Sequence, residues 1–291
     1  MRWRGRRGSA NIEDRRGASG GGPRIGVPLG RGGRVGGLGA VALIVIALLF
    51  GVDPGVLLQG GFDPGVQQRP AGPNRIDDDA EAFLSVVLAD TEEVWADIFE
   101  TRLGQVYQPP TLVLFSGATQ SACGGASAAV GPFYCPADRK AYLDTDFFQV
   151  LEGRLGAGGD FARAYVVAHE IAHHVQNLIG VLPEANRRRA AASEVEANRI
   201  SVRIELQADC LSGVWAKQAE RRFGSLEAGD IEEALDAAAR IGDDALQKAS
   251  QGHVVPDSFT HGSSAQRVRW FNAGYRSGDL AACDTFAADR L

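Results

Sequence analysis

The feature that most limits this chain is an uncharged apolar run at residues 35–52 (VGGLGAVALIVIALLFGV), stopped by Asp53 and Pro54. At about 18 residues it is near the shortest stretch that spans a bilayer as a helix. A buried core helix is disfavoured, because the run is apolar all round and its flanks cannot pack on it. A cleaved signal peptide is disfavoured too: a long segment precedes the run and no Ala-x-Ala follows it. The expectation is a retained transmembrane helix over 35–52.

The two sides of this run differ in composition. Arg2, Arg4, Arg6, Arg7, Arg15, Arg16, Arg24, Arg31 and Arg34 outweigh Glu13 and Asp14, yet the whole chain has a formal charge of −6, so the remainder is acidic. An acidic remainder argues against nucleic acid as a partner. Residues 1–34, rich in Arg and Gly and poor in large apolar side chains, read as a disordered segment. Positive charge stays on the cytoplasmic side, which predicts a single-pass protein of the cell membrane with a cytoplasmic N-terminus and an extracytoplasmic C-terminal domain. The lipid bilayer is then one expected partner. Residues 53–75, with Gly, Pro and Gln and no apolar period, read as a linker. Residues 76–291 remain as one folded domain, and 291 residues leave little room for a second.

Cys123, Cys135, Cys210 and Cys283 suit an exported domain that keeps disulfides. Cys123 and Cys135 flank a Gly-rich, turn-like segment and are natural partners, which leaves Cys210 for Cys283. Free thiols are the alternative. No C-x-x-C pair suggests a cysteine metal site.

Asp77–Asp79 can cap a helix whose apolar positions Phe83, Val86, Val87, Val94, Trp95 and Ile98 recur at helical spacing and which ends before Gly104. Residues 111–115 (TLVLF) predict a strand, and residues 126–135 and 139–143 predict two more, joined by a turn at 136–138. Helical periodicity covers 161–178, 194–223, 226–249 and 264–275, the last opened by a capping box at Ser263 and Gln266. The expected fold class is α+β: mainly helical, with a small antiparallel sheet on its N-terminal side.

Within AYVVAHEIAHHVQNL, residues 169–173 read His-Glu-Ile-Ala-His. The i, i+4 spacing puts His169 and His173 on one helix face, one turn apart, where both imidazoles can meet one ion. Glu170 projects beside them and can take a proton from a metal-bound water without binding the metal. A hydrolytic zinc site needs a third protein ligand and an open position. A third histidine six residues beyond His173 is ruled out, since Gln176 and Ile179 stand where Gly and His would be required. Glu205 in RIELQADC is the best candidate, with Asp209 one turn on to hold the N–H of a ligating histidine. Solvated helix charges are the alternative, but Ile204, Leu206, Ala208, Cys210 and Leu211 imply burial, and a buried carboxylate needs a partner.

HEIAHHVQ, ELQADC, GPFYCPADRKAYLD (131–144) and HGSSAQRVRWFNAGY (261–275) together resemble the bacterial family of neutral zinc metallopeptidases over roughly residues 76–286. The resemblance implies a membrane-anchored, zincin-like domain with a gluzincin-like metal set. Carried over, it implies His169, His173 and Glu205 as Zn2+ ligands, Glu170 as general base and Asp209 behind a ligand histidine.

His261 is a candidate to donate to a developing oxyanion, with a surface role beside the helix as the alternative. His174 points about 100° away from its neighbour and reads as structural, and His253 as a loop residue. For Tyr165 and Tyr275 core packing is the better reading. The expected function is a zinc-dependent metalloendopeptidase acting on a peptide or protein substrate outside the membrane, with an edge strand near 139–143 to pair with it. The rivals are a non-catalytic zinc-containing envelope protein that binds a partner through the cleft, and a hydrolase of cell-wall peptides. The sequence does not indicate an oligomeric state.

Overall fold

The computed structural model describes residues 1–16, 78–127 and 131–291. The expected membrane helix over 35–52 and the linker over 53–75 lie outside the described residues. Among the described residues, no helix is long and apolar enough to cross a membrane.

Helix α1 (Asp79–Ile98) begins where expected, with the Asp78 carboxylate accepting from the Glu81 N–H. A π-helical turn, Phe99–Leu103, extends it to Gly104, whose φ of 64° ends it in the left-handed conformation. Next come β2 (Thr111–Phe115), β3 (Ala118–Ser121), β4 (Gly124–Ser127), β5 (Phe133–Cys135) and β6 (Lys140–Asp144). Two short helices, α2 (Phe147–Gly153) and α4 (Val181–Ala191), flank the expected α3 (Asp160–Leu178) and precede α5 (Glu194–Phe223). The helix expected over 226–249 is instead two, α6 (Asp230–Arg240) and α7 (Asp243–Gln251). They part at Gly242, where an added Cβ would lie 2.4 Å from the Ser264 backbone nitrogen, so the break lets the chain approach α8 (Ser264–Ser277). The capping box of Ser263 and Gln266 is formed.

The antiparallel pairing expected of the strands on either side of the 136–138 turn is present as β5–β6, and β3–β4 form a separate antiparallel hairpin. The main sheet as a whole is mixed: a first strand, β1 (Ile12–Asp14), precedes the others in the order β1-β2-β6-β5, and β2 and β6 run parallel. The segment between those two strands is long enough for the crossover that parallel pairing needs.

The first strand, β1 (Ile12–Asp14), corrects the expectation of disorder for residues 1–16. It pairs in parallel with β2, Ile12 opposite Leu112, and Ile12 enters the core. The segment has too few large apolar side chains to build a core of its own, but α1 supplies partners for its arginines. Arg6 makes two hydrogen bonds of 2.6 Å to Asp90, and Arg16 reaches Asp78 and Glu81.

Helix α3 is the centre of the domain, its Phe161, Tyr165, Ile171 and Val175 fully buried. Helix α5 packs on it, and α8 crosses α5 at backbone contact: a Cβ on Gly274 would sit 1.8 Å from the Cys210 carbonyl oxygen, and one on Gly213 2.1 Å from that of Phe271. Only glycine at both positions allows that approach, which brings Arg267 of α8 behind the centre described next. Both expected disulfides are formed, Cys123–Cys135 on the sheet and Cys210–Cys283 tying the C-terminal turn to α5.

Candidate metal centre and its cleft

Helices α3 and α5 face each other so that His169, His173 and Glu205 present donor atoms within 4.8 Å of one another. Nε2 of His169 is 3.0 Å from Glu205 Oε2, and Nε2 of His173 is 3.6 Å from the same oxygen. Both imidazoles are oriented from behind. Nδ1 of His169 lies 2.9 Å from Asp209 Oδ1, and Nδ1 of His173 2.9 Å from Gln176 Oε1. The Gln176 amide cannot turn over without loss, because its nitrogen donates to the Ile204 carbonyl at 2.8 Å and to Gln207 at 2.9 Å. With both Nδ1 atoms donating, both Nε2 lone pairs face Glu205, the tautomer a metal requires.

Asp209 is fully buried and saturated. It accepts from Tyr165 Oη at 2.6 Å and from Arg267 Nε and Nη2 at 2.8 and 2.9 Å. Burial pushes the Asp209 carboxyl up, but Arg267 and His169 outweigh it and hold the group at about 2. Burial also opposes charge on His169, while its hydrogen bonds to Asp209 and Glu205 raise it to about 10. Two carboxylates on one buried imidazole therefore call for a positive charge at this point, which a divalent ion supplies.

The centre opens into a cavity of about 490 Å³ lined by Phe133, Tyr134, Val150, Leu246 and His261 among others. Glu170 lines it too, and burial pushes its carboxyl above the ordinary range against the pull of His173 and His169. His261 thus shares the cleft with the candidate ligands. It is positioned by Asp243 at the start of α7: Oδ2 accepts the backbone N–H groups of Thr260, His261 and Gly262 at 2.8, 2.7 and 3.0 Å, and Oδ1 lies 3.3 Å from His261 Nδ1.

Of the six sequence-selected residues, His169, Glu170, His173, Glu205 and His261 line one cleft, and Asp209 stands behind His169. The remaining histidines do not. His174 is buried between Tyr134 Oη, 3.0 Å from Nδ1, and the Gln108 carbonyl, 2.7 Å from Nε2, while His253 is exposed. Tyr275 bonds Glu220 away from the site. Tyr165 is a core residue as expected, but its hydroxyl also bonds Asp209. Sequence reasoning missed Arg267, Gln176 and Asp243. Their signals were an arginine among the apolar residues of a capped helix, a glutamine three residues after a ligand, and an acidic residue opening a helix.

Glu205→Ala removes one of three donors and leaves two histidines, so metal content measured by elemental analysis is expected to fall from one ion per chain to near zero. The affinity loss should exceed the roughly 10–100-fold that follows from removing a partner behind a ligand. Unchanged stoichiometry would place the third ligand elsewhere.

Comparison with known proteins agrees with this geometry. The chain is 49% identical over 293 aligned residues to the uncharacterized protein YpfJ of Escherichia coli K12, covering 98% of this chain and 99% of that one. It is 44% identical over 263 residues to the uncharacterized protein Mb2605 of Mycobacterium bovis, covering 84% and 86%, and equally similar to Rv2575 of Mycobacterium tuberculosis. No solved structure matches the chain. The model of the family described as "Putative neutral zinc metallopeptidase" matches residues 1–286, the N-terminal strand and the cleft included, and the chain belongs to that family.

Proposed function

We propose that the protein is a zinc-dependent endopeptidase acting outside the cytoplasm. The observation that carries this reading is a two-histidine, one-glutamate donor set open to a cleft, with the carboxylate of Glu170 beside it. The donors suit zinc: ligands about 2.0–2.1 Å from a tetrahedral ion stand about 3.3 Å apart, and the Nε2-to-Oε2 separations are 3.0 and 3.6 Å. When bound, zinc supplies a water acidified to near neutrality and a Lewis acid for a carbonyl oxygen.

The protein's own groups do the rest. Glu170, buried beside the two histidines at the cleft, accepts the proton of the attacking water and passes it to the leaving amine. His261, steadied by Asp243, donates to the oxygen on which charge develops. The substrate strand lies along the sheet edge. That edge is β5 and not the 139–143 strand expected from sequence, because β6 is covered on both sides by β2 and β5. Phe133 and Tyr134 of β5 line the cleft, so an extended peptide added there would pass the metal centre. Two disulfides support a location outside the reducing cytoplasm.

The test is cleavage of a peptide library and of purified cell wall by the zinc-loaded full chain, before and after chelation. Peptide cleavage lost on chelation and restored by zinc is the expected result. Cell-wall cleavage alone would redirect the substrate class. Stoichiometric zinc with no cleavage of either would favour a non-catalytic binding protein.

A further inference from the structure

Three residues of α4 line the cleft, Leu182, Asn186 and Arg189. They stand at i, i+4 and i+7 of the helix Val181–Ala191 and so form one stripe along it. Burial falls along that stripe: Leu182 is buried, Asn186 half-buried and Arg189 exposed. The stripe therefore runs from the floor of the cleft to its rim. Its floor lies beside the metal centre, since Leu182 packs in one cluster with Ile204, the residue before Glu205. The neighbouring arginines are engaged elsewhere, Arg187 with Glu184 and Arg188 over the ring of Phe286.

Hydrogen bonding makes the upper part of the stripe a surface of donors. Arg189 Nη1 donates to Asn186 Oδ1 at 3.2 Å, which occupies the amide oxygen and leaves the Asn186 NH2 group beside the rest of the guanidinium. Among the described residues, no carboxylate pairs with Arg189. A guanidinium is a planar fork whose geometry matches a carboxylate. The other charged side chains that line the cleft are already assigned: Glu170 and Glu205 belong to the candidate metal centre, and Arg267 is held by Asp209. Arg189 thus sets the sign of the charge at the outer end of the cleft. We propose that Arg189 and Asn186 bind a carboxylate of the substrate, which makes acidic peptides the preferred class; this rests on reading the cleft as a peptide site. Arg189 is two turns, roughly 10 Å, beyond Leu182 along α4, and an extended peptide covers that length in about three residues. The carboxylate therefore sits away from the bond held at the metal centre, on an acidic side chain or at the C-terminus of the peptide.

The test measures binding, so that it does not depend on turnover. The zinc-loaded full chain carrying Glu170→Gln is titrated with heptapeptides of one apolar sequence: neutral with an amidated C-terminus, the same with one Glu three residues to either side of the centre, and neutral with a free C-terminus. Exposed ion pairs are weak in water, so the Glu peptide is expected to bind about two- to fivefold tighter than the neutral amidated one at low salt. The gain should shrink in 1 M salt, vanish with Arg189→Ala and invert with Arg189→Glu. Arg187→Glu, which changes an exposed arginine off the stripe, should keep it. A gain seen with the free C-terminus instead of Glu, and lost with Arg189→Ala, would support the same site with the C-terminus as its source. Equal affinity for all four peptides, a gain that survives Arg189→Glu, or no binding of any peptide would overturn the proposal. A parent chain that binds the acidic peptide through Arg189 yet cleaves none would sink the peptidase reading and leave this site standing.

Discussion

Glu170→Gln is expected to reduce peptide hydrolysis by a factor of about 10²–10⁴ while leaving metal content and melting temperature close to those of the parent. The side chain is buried beside two candidate ligands but is not one of the three converging donors. Glutamine keeps its size and removes only the capacity to take a proton. Burial makes the parent carboxyl a stronger base than a solvated glutamate, with the two histidines opposing that shift. Losing the ionised form from this pocket costs the fold little, since a buried charge carries its own desolvation penalty. The loss should fall on kcat with KM nearly unchanged, the pattern of an interaction made in the transition state. Parent-like turnover with full metal occupancy would exclude Glu170 as the base.

What could be read from sequence divides by the range of the interaction. The spacing of His169, Glu170 and His173 is local, one turn of one helix, and needed no knowledge of the fold. Glu205 and Asp209 were legible because the apolar residues around them made burial, and hence a partner, a requirement. Helix α4 was missed because Pro183 in its first turn and the Arg187–Arg189 run break the apolar period. Arg267 and Asp243 act through groups far away in sequence, Asp209 and His261, and only the glycine-mediated contact of α8 with α5 shows the first of these pairings. The N-terminal arm failed for the same reason in reverse. Its glycines and arginines cannot build a core alone, and the acidic face of α1 that neutralises them lies beyond residues 17–77.

Asp209→Ala is expected to be the most destabilising single change in the cleft. It would leave the Arg267 guanidinium, 3% exposed, without its carboxylate and strip the acceptor from Tyr165 Oη and His169 Nδ1. Breaking a buried ion pair from one side costs about 3–5 kcal/mol, or roughly 6–20 °C in melting temperature for a domain of this size. The pair is not a pH switch near neutrality. Because the folded carboxyl is held at about 2, below its unfolded value, its contribution is present above about pH 4 and is lost as pH falls toward 2. Metal affinity should fall as well, by about 10–100-fold, as His169 loses the partner that orients it. The two effects can be separated by the double variant Asp209→Ala with Arg267→Met. Removing both charges replaces a half-broken pair with apolar volume, so much of the lost melting temperature should return. Metal affinity should stay low, because nothing in that variant holds the His169 ring. If affinity recovered together with stability, Asp209 would be serving the fold alone, and the orientation of His169 would have to come from the packing of α3 against α5.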